Sequence, residues 1–177
     1  MNGVDAGRPA ENEYDPYYRF MIDLVPDEPI KSVLEEQRYE IMGLLGSLDH
    51  TTADYRYAPE KWSVKEVLGH VLDTERIFGA RALCFARGEQ QPLPPFEQDE
   101  YVRSAGFDLR SLASLSREFE AVRESTECLF AGFDEKQWNR GGIANNAHMT
   151  VRAVAYIIAG HAAHHLAIIR ERYLSPD

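Results

Sequence analysis

Apolar residues along this chain recur at steps of three and four and almost nowhere alternate, so the elements they predict are helices. Ile30, Val33, Leu34, Ile41, Leu44, Leu45 and Leu48, with Gln37 in register, mark the first. It opens near Asp27–Pro29, where an acid precedes a proline suited to a first turn, and ends before Asp49–Thr52. The second has the clearest start. Ser63-Val64-Lys65-Glu66 has the capping-box form, in which the hydroxyl and the carboxylate satisfy each other's backbone N–H groups. Val67, Val71, Ile77, Phe78 and Phe85 carry this helix to Arg87-Gly88, and Gly88 is suited to a left-handed stop.

Three prolines in QPLPPF prevent its continuation, so Gln90–Phe107 is read as a crossover loop of about twenty residues, long enough to be functional or to hold a short helix of its own. A third helix over Leu109–Ala131 places Leu112, Leu115, Phe119, Val122 and Leu129 on one face, and Gly132 ends it. The connection over 133–149 contains Trp138, Gly141-Gly142 and Asn145-Asn146. Thr150 then caps a fourth helix, VRAVAYIIAGHAAHHLAIIRERYL. Residues 1–27 read as an irregular arm with Pro9, Pro16 and Pro26, whose Tyr14, Tyr17 and Tyr18 are suited to packing it onto the body. The fold class expected is all-α: a four-helix bundle over residues 28–177 with long crossover connections.

Composition narrows the function classes. At 177 residues the chain fits one domain with one core. Charges interrupt every candidate membrane span, and the polar, acidic start MNGVDAGRPAENEYD does not read as a secretory signal, so the expected location is cytoplasmic. A net charge of −10, with Lys and Arg scattered among acids, argues against a nucleic-acid partner. Cys84 and Cys128 are too few for a disulfide scaffold and read as inert buried thiols.

The chemistry concentrates in His161-Ala162-Ala163-His164-His165, which holds three of the six histidines. His161 and His165 lie one turn and roughly 40° apart, so both imidazoles can converge on one ion. Val154, Ile157, Ile158 and Ile168 fall within about 60° of His161, which puts the histidines in the apolar stripe that faces the core. His164 sits at the edge of the same stripe, and periodicity alone leaves His161/His165 and His161/His164 both open as the chelating pair. The plainer alternative is that they are core-edge histidines bonded to backbone or tyrosine. A third ligand candidate is His70, among apolar residues in Val67-Leu68-Gly69-His70-Val71-Leu72-Asp73; His50 and His148 lie in or beside loops and read as solvated.

The pairing of WSVKEVLGHVLDTER on the second helix with MTVRA and IAGHAAHHLAII on the fourth resembles the DinB-like superfamily, and within it the DinB/YfiT-type metalloenzymes. The resemblance covers about residues 30–173. It implies a crossover four-helix bundle, a homodimer, and a divalent metal, nickel or zinc, held by one histidine of the second helix and an H-x-x-x-H of the last. On this chain those are His70, His161 and His165, with His164 left outside the ligand set. The superfamily's name derives from damage-inducible expression and implies no DNA binding. Some of its members are S-transferases that use low-molecular-weight thiols such as bacillithiol or mycothiol; no motif here assigns a thiol.

Three neutral histidines with an open position suit catalysis better than a closed structural site. The expected function is a divalent-metal-dependent enzyme acting on a small-molecule substrate, a thiol-dependent S-transferase or a hydrolase. The alternatives are a non-catalytic metal- or ligand-binding stress-response module and a metal-free helical interaction protein. No catalytic side chain is assigned. Asp73 can orient His70 or simply pair on the helix surface. Glu75 and Arg76 read as a solvated face, and Trp62 and Trp138 as core plugs.

Overall fold

A computed structural model describes residues 6–174, so residues 1–5 of the arm lie outside the described residues. Four long helices form the body: α2 (Ile30–Ser47), α4 (Val64–Ala86), α6 (Leu112–Ala131) and α8 (Val151–Ile168). Short helices α1 (Arg19–Asp23), α3 (His50–Asp54), α5 (Gln98–Ala105) and α7 (Glu135–Trp138) decorate them. A hairpin of β1 (Gly141–Ala144) and β2 (Ala147–Thr150) precedes α8. The fold is an all-α four-helix bundle.

Both α2 and α4 pack on α6 and on α8, so α2 and α4 lie across a diagonal. Directions follow from the contacts. Lys65 Nζ at the start of α4 donates to the carbonyls of Asp108 and Arg110 just before α6, and Glu75 meets Arg123 farther along both helices, so α4 and α6 run the same way. The segment between them must therefore return the length of the bundle. This is the crossover, and α5 is the short helix within it.

Local chemistry sets the helix ends. Ser63 Oγ accepts from Glu66 N at 3.2 Å while Glu66 Oε2 accepts from Ser63 N at 2.7 Å, completing the capping box. Gly88, at φ +87°, turns the chain out of α4, with Glu89 N bonded back to the Cys84 carbonyl. Thr150 caps α8 through a bond from Ala153 N. Two starts move from their expected places. Pro29 is itself the residue before α2, and α6 begins at Leu112 because Ser111 Oγ caps Ser114 N, leaving Phe107–Leu109 as a 3-10 turn. The last residues, Ile169–Tyr173, widen into a π turn.

Three expectations are corrected. The arm is not wholly irregular: 3-10 turns at Glu11–Glu13 and Pro16–Tyr18 lead into α1, and Arg8 ties it down by donating to the carbonyls of Ile22 and Val25. Tyr14 and Tyr18 are buried while Tyr17 is exposed. The 133–149 connection contains a hairpin, whose turn residues Asn145 and Asn146 both have positive φ, the backbone state of a two-residue type I′ turn. Glu75 is not solvated. It forms a two-pronged ion pair with fully buried Arg123 at 2.8 Å for each bond, while Arg76 stays exposed.

The N-terminal half of α8 is buried on nearly all sides rather than along one stripe, because α1 covers the face the bundle leaves open. Gly160 permits this. A Cβ there would lie 2.0 Å from the Met21 carbonyl oxygen, so only glycine lets the α1 backbone approach. At Gly69 a Cβ would meet the Phe107 ring at 2.3 Å. Each glycine immediately precedes a histidine of the candidate site.

Candidate metal centre

His70 of α4 and His161 of α8 face each other across the bundle, with their Nε2 atoms 2.9 Å apart. His165, one turn beyond His161, brings its ring centroid within 4.5 Å of His161 and 4.8 Å of His70. One ring nitrogen from each of the three lies within 4.8 Å of the others, and no further Cys, Asp, Glu or His among the described residues joins the group. The geometry thus brings together His70, His161 and His165. His164 stands beside the cluster, its ring 5.2 Å from His165 and 5.5 Å from Phe20.

Burial fixes the charge state of these rings. Desolvation pushes His70 down to about 4 and His165 down to about 3, the latter helped by His70 and His164 nearby. His161, the most enclosed, is pushed well below its ordinary value, again first by burial and then by the neighbouring histidines. At neutral pH all three rings are uncharged and offer lone pairs. His165 Nδ1 is buried without a hydrogen-bond partner among the described residues. Three neutral imidazoles, one with an orphaned buried nitrogen, fit the donor set that a borderline-soft divalent ion takes.

The histidines open onto a cavity of about 380 Å³ whose walls come from four regions: Tyr17, Tyr18, Phe20 and Met21 of the arm, Thr74, Phe78 and Arg81 of α4, Phe96–Gln98 of the crossover, and Asn145 of the hairpin turn. The crossover is pinned in place by Leu93 N donating to Ile143 O and by Arg81 Nη2 donating to Pro94 O, both at 2.9 Å.

Some expectations about neighbouring groups change. Asp73 does not line the cavity; its carboxylate faces Arg76 at 3.8 Å, and burial raises it above the usual carboxylate range. Positions 73 and 74 both lie one turn beyond His70, to opposite sides of its direction, and the cavity is on the side of 74. Trp62 is not a core plug but a half-buried wall, its ring 4.9 Å from His70. Trp138 is fully buried and stacks on Phe130, as a core plug does. Cys84 is half-buried and Cys128 exposed, so neither is the enclosed thiol expected, and neither lines the cavity. His50 and His148 are exposed. Sequence reading missed Thr74, Arg81 and Glu97. The first two were detectable, lying four and eleven residues beyond His70 on one helical face; Glu97 was not, since it sits in an aperiodic loop.

A family model for the DinB superfamily matches residues 33–169, a span that includes all three histidines. The chain belongs to the DinB superfamily. Among solved structures, this DinB-superfamily chain is similar to YfiT from Bacillus subtilis, described as a probable metal-dependent hydrolase with an unusual four-helix bundle topology. The two share 17% identity, the match covers 95% of each chain, and the TM-score is 0.72, a likeness that shows the fold. No curated protein matches the chain. No helix of the described residues is long and apolar enough to cross a membrane.

Proposed function

We propose that His70, His161 and His165 hold a divalent metal ion, nickel or zinc, and that the pocket is the active site of a metal-dependent hydrolase or thiol-dependent S-transferase. The observation that carries this reading is a cluster of three imidazoles beside a cavity, with no fourth Cys, Asp, Glu or His joining it among the described residues and space for a small molecule at the same place. A divalent ion held there would supply Lewis acidity and a lowered pKa for a coordinated water or thiol.

The chain's own residues do the rest. Burial keeps the three imidazoles neutral, so each gives a lone pair rather than a proton. Trp62 and the arm aromatics wall the cavity beside the rings, where His70 and His161 are buried and His165 half-buried. Glu97, the one carboxylate lining the cavity among the described residues, is exposed at the rim and is the acid–base side chain there that can exchange a proton with solvent. The non-catalytic alternative would be better served by a fourth protein ligand, which the described residues do not supply.

Turnover decides between the classes. Metal-loaded protein is to be compared with chelator-stripped protein and with His161→Ala, on ester and amide hydrolysis and on transfer of bacillithiol or mycothiol to electrophiles. The proposal expects turnover in one panel, restored to stripped protein by adding metal and absent from the variant. A loaded protein silent in both panels would favour the binding module.

A further inference from the structure

The cavity wall carries a cation that no carboxylate of the described residues neutralises. Arg81 is only 3% exposed. Among the described residues it has no ion-pair partner; its Nη2 donates to the Pro94 carbonyl, and its guanidinium lies between the rings of Phe78 and Phe96, 4.8 and 5.8 Å from their centroids. The other deeply buried arginine of the bundle, Arg123, is treated differently, with both prongs answered by Glu75. Burying a charge without an ionic partner is unfavourable. At Arg81 this charge faces a cavity, where a ligand can complete it.

Three neutral donors accompany it. Thr74 lies between His70 and Arg81 on the same face of α4, and its Oγ1 is buried with no hydrogen-bond partner among the described residues. Asn145 reaches in from the hairpin turn and interacts with the Tyr18 hydroxyl, and both line the same cavity. We propose that Arg81, with Thr74, Asn145 and Tyr18, forms a carboxylate-binding subsite, and that the substrate of this pocket is an elongated small molecule with a carboxylate at one end and its reacting group at the other.

The chemistry selects a carboxylate. Guanidinium donors match its two oxygens, and hydroxyl and amide groups can supply further bonds. A phosphate dianion would call for a second cation, and among the described residues no other Lys or Arg lines the cavity. Distance selects an elongated molecule. Eleven residues separate His70 from Arg81, so their Cα atoms are about 16 Å apart along the helix, a gap that the arginine shortens because side chains lean toward the helix N-terminus. The subsite stands on Arg81 and its neighbours alone; the placing of the reacting group rests on the metal reading above.

Calorimetric titration of metal-stripped full-length protein with 3-phenylpropionate tests this, with 3-phenylpropanamide and inorganic phosphate as comparison probes. Saturable binding of the acid is expected in the parent and in His161→Ala, weakened at least about tenfold by Arg81→Gln. Arg81→Lys keeps the charge but loses the fork, and should also bind more weakly. The amide comparison needs no variant and should show a similar loss. The subsite is overturned if the acid does not bind the parent, if the amide or phosphate binds as well as the acid, or if binding survives Arg81→Gln but not His161→Ala. Failure of the metal reading would appear as a parent that takes up no ion, a result that leaves this titration unchanged.

Discussion

His70 and His161 are 91 residues apart in the chain, yet their Nε2 atoms sit 2.9 Å from one another in the buried interface of α4 and α8. Burial holds both rings neutral, so without a metal the pair can share only a single N–H···N bond, with one ring as donor. That contact depends on α4 and α8 running antiparallel, a direction also given by Tyr173 Oη beyond the end of α8 donating to the Trp62 carbonyl just before α4. It makes the site a property of the bundle rather than of either helix.

The ligand set separates His164 from its neighbour. His165 belongs to the cluster, whereas His164 meets Phe20 edge to face and lines the cavity beside it. His165→Ala should reduce affinity for nickel or zinc by at least about tenfold, and His164→Ala by much less. Competitive titration with a chromogenic chelator measures both.

Acid should destabilise the metal-free fold. The folded-state values of His70, His161 and His165 all lie below the unfolded value near 6.5, so below that pH the unfolded chain binds more protons. Stability from these groups is therefore fully present above about pH 6.5 and is lost as pH falls through about 4 for His70 and about 3 for His165. Within that window each histidine contributes a slope of about 1.4 kcal/mol per pH unit. Urea unfolding of stripped protein from pH 7 to 5 should show this fall, and a flat profile would refute it.

The buried Glu75–Arg123 pair holds α4 to α6 and lies away from the cavity. Arg123 Nη1 also donates to the Leu34 carbonyl and to Gln37 Oε1, tying in α2. Removing one partner strands the other charge, so Glu75→Ala should lose about 3–5 kcal/mol of stability. Chemical denaturation measures the loss, and protein still folded should keep its metal.

Gly160 carries a different constraint. The contact of its would-be Cβ is backbone, at the Met21 carbonyl, and backbone cannot rotate aside. Gly160→Ala should therefore lift α1 from α8 and cost at least about 1–3 kcal/mol. Because α1 and the turn before it wall the cavity, binding of small molecules should weaken together with stability.

Much of this was legible in the chain. Periodicity marked the four long helices, and the His161/His165 spacing put two imidazoles on one face. His70 stood out as a third candidate because it interrupts an apolar run on the second helix, but choosing His165 over His164 came from the resemblance, since no periodicity within one helix reports what a second helix brings to it. Glu75 was misread because a charged residue looks solvated until its partner, Arg123, is seen to be buried too. The hairpin escaped notice because its strands are only four residues long and its turn is Asn-Asn rather than the stronger Asn-Gly signal. The arm's part in the cavity depends on a glycine contact with Met21, a long-range fit that local pattern does not encode.

Metal content tests the central claim most directly. Tag-free protein purified without chelator should contain about one equivalent of nickel or zinc per chain. Elemental analysis should find the same in His164→Ala and almost none in His70→Ala or His161→Ala, each verified as folded by circular dichroism. A folded parent that arrives empty and takes up neither ion on titration would contradict the account.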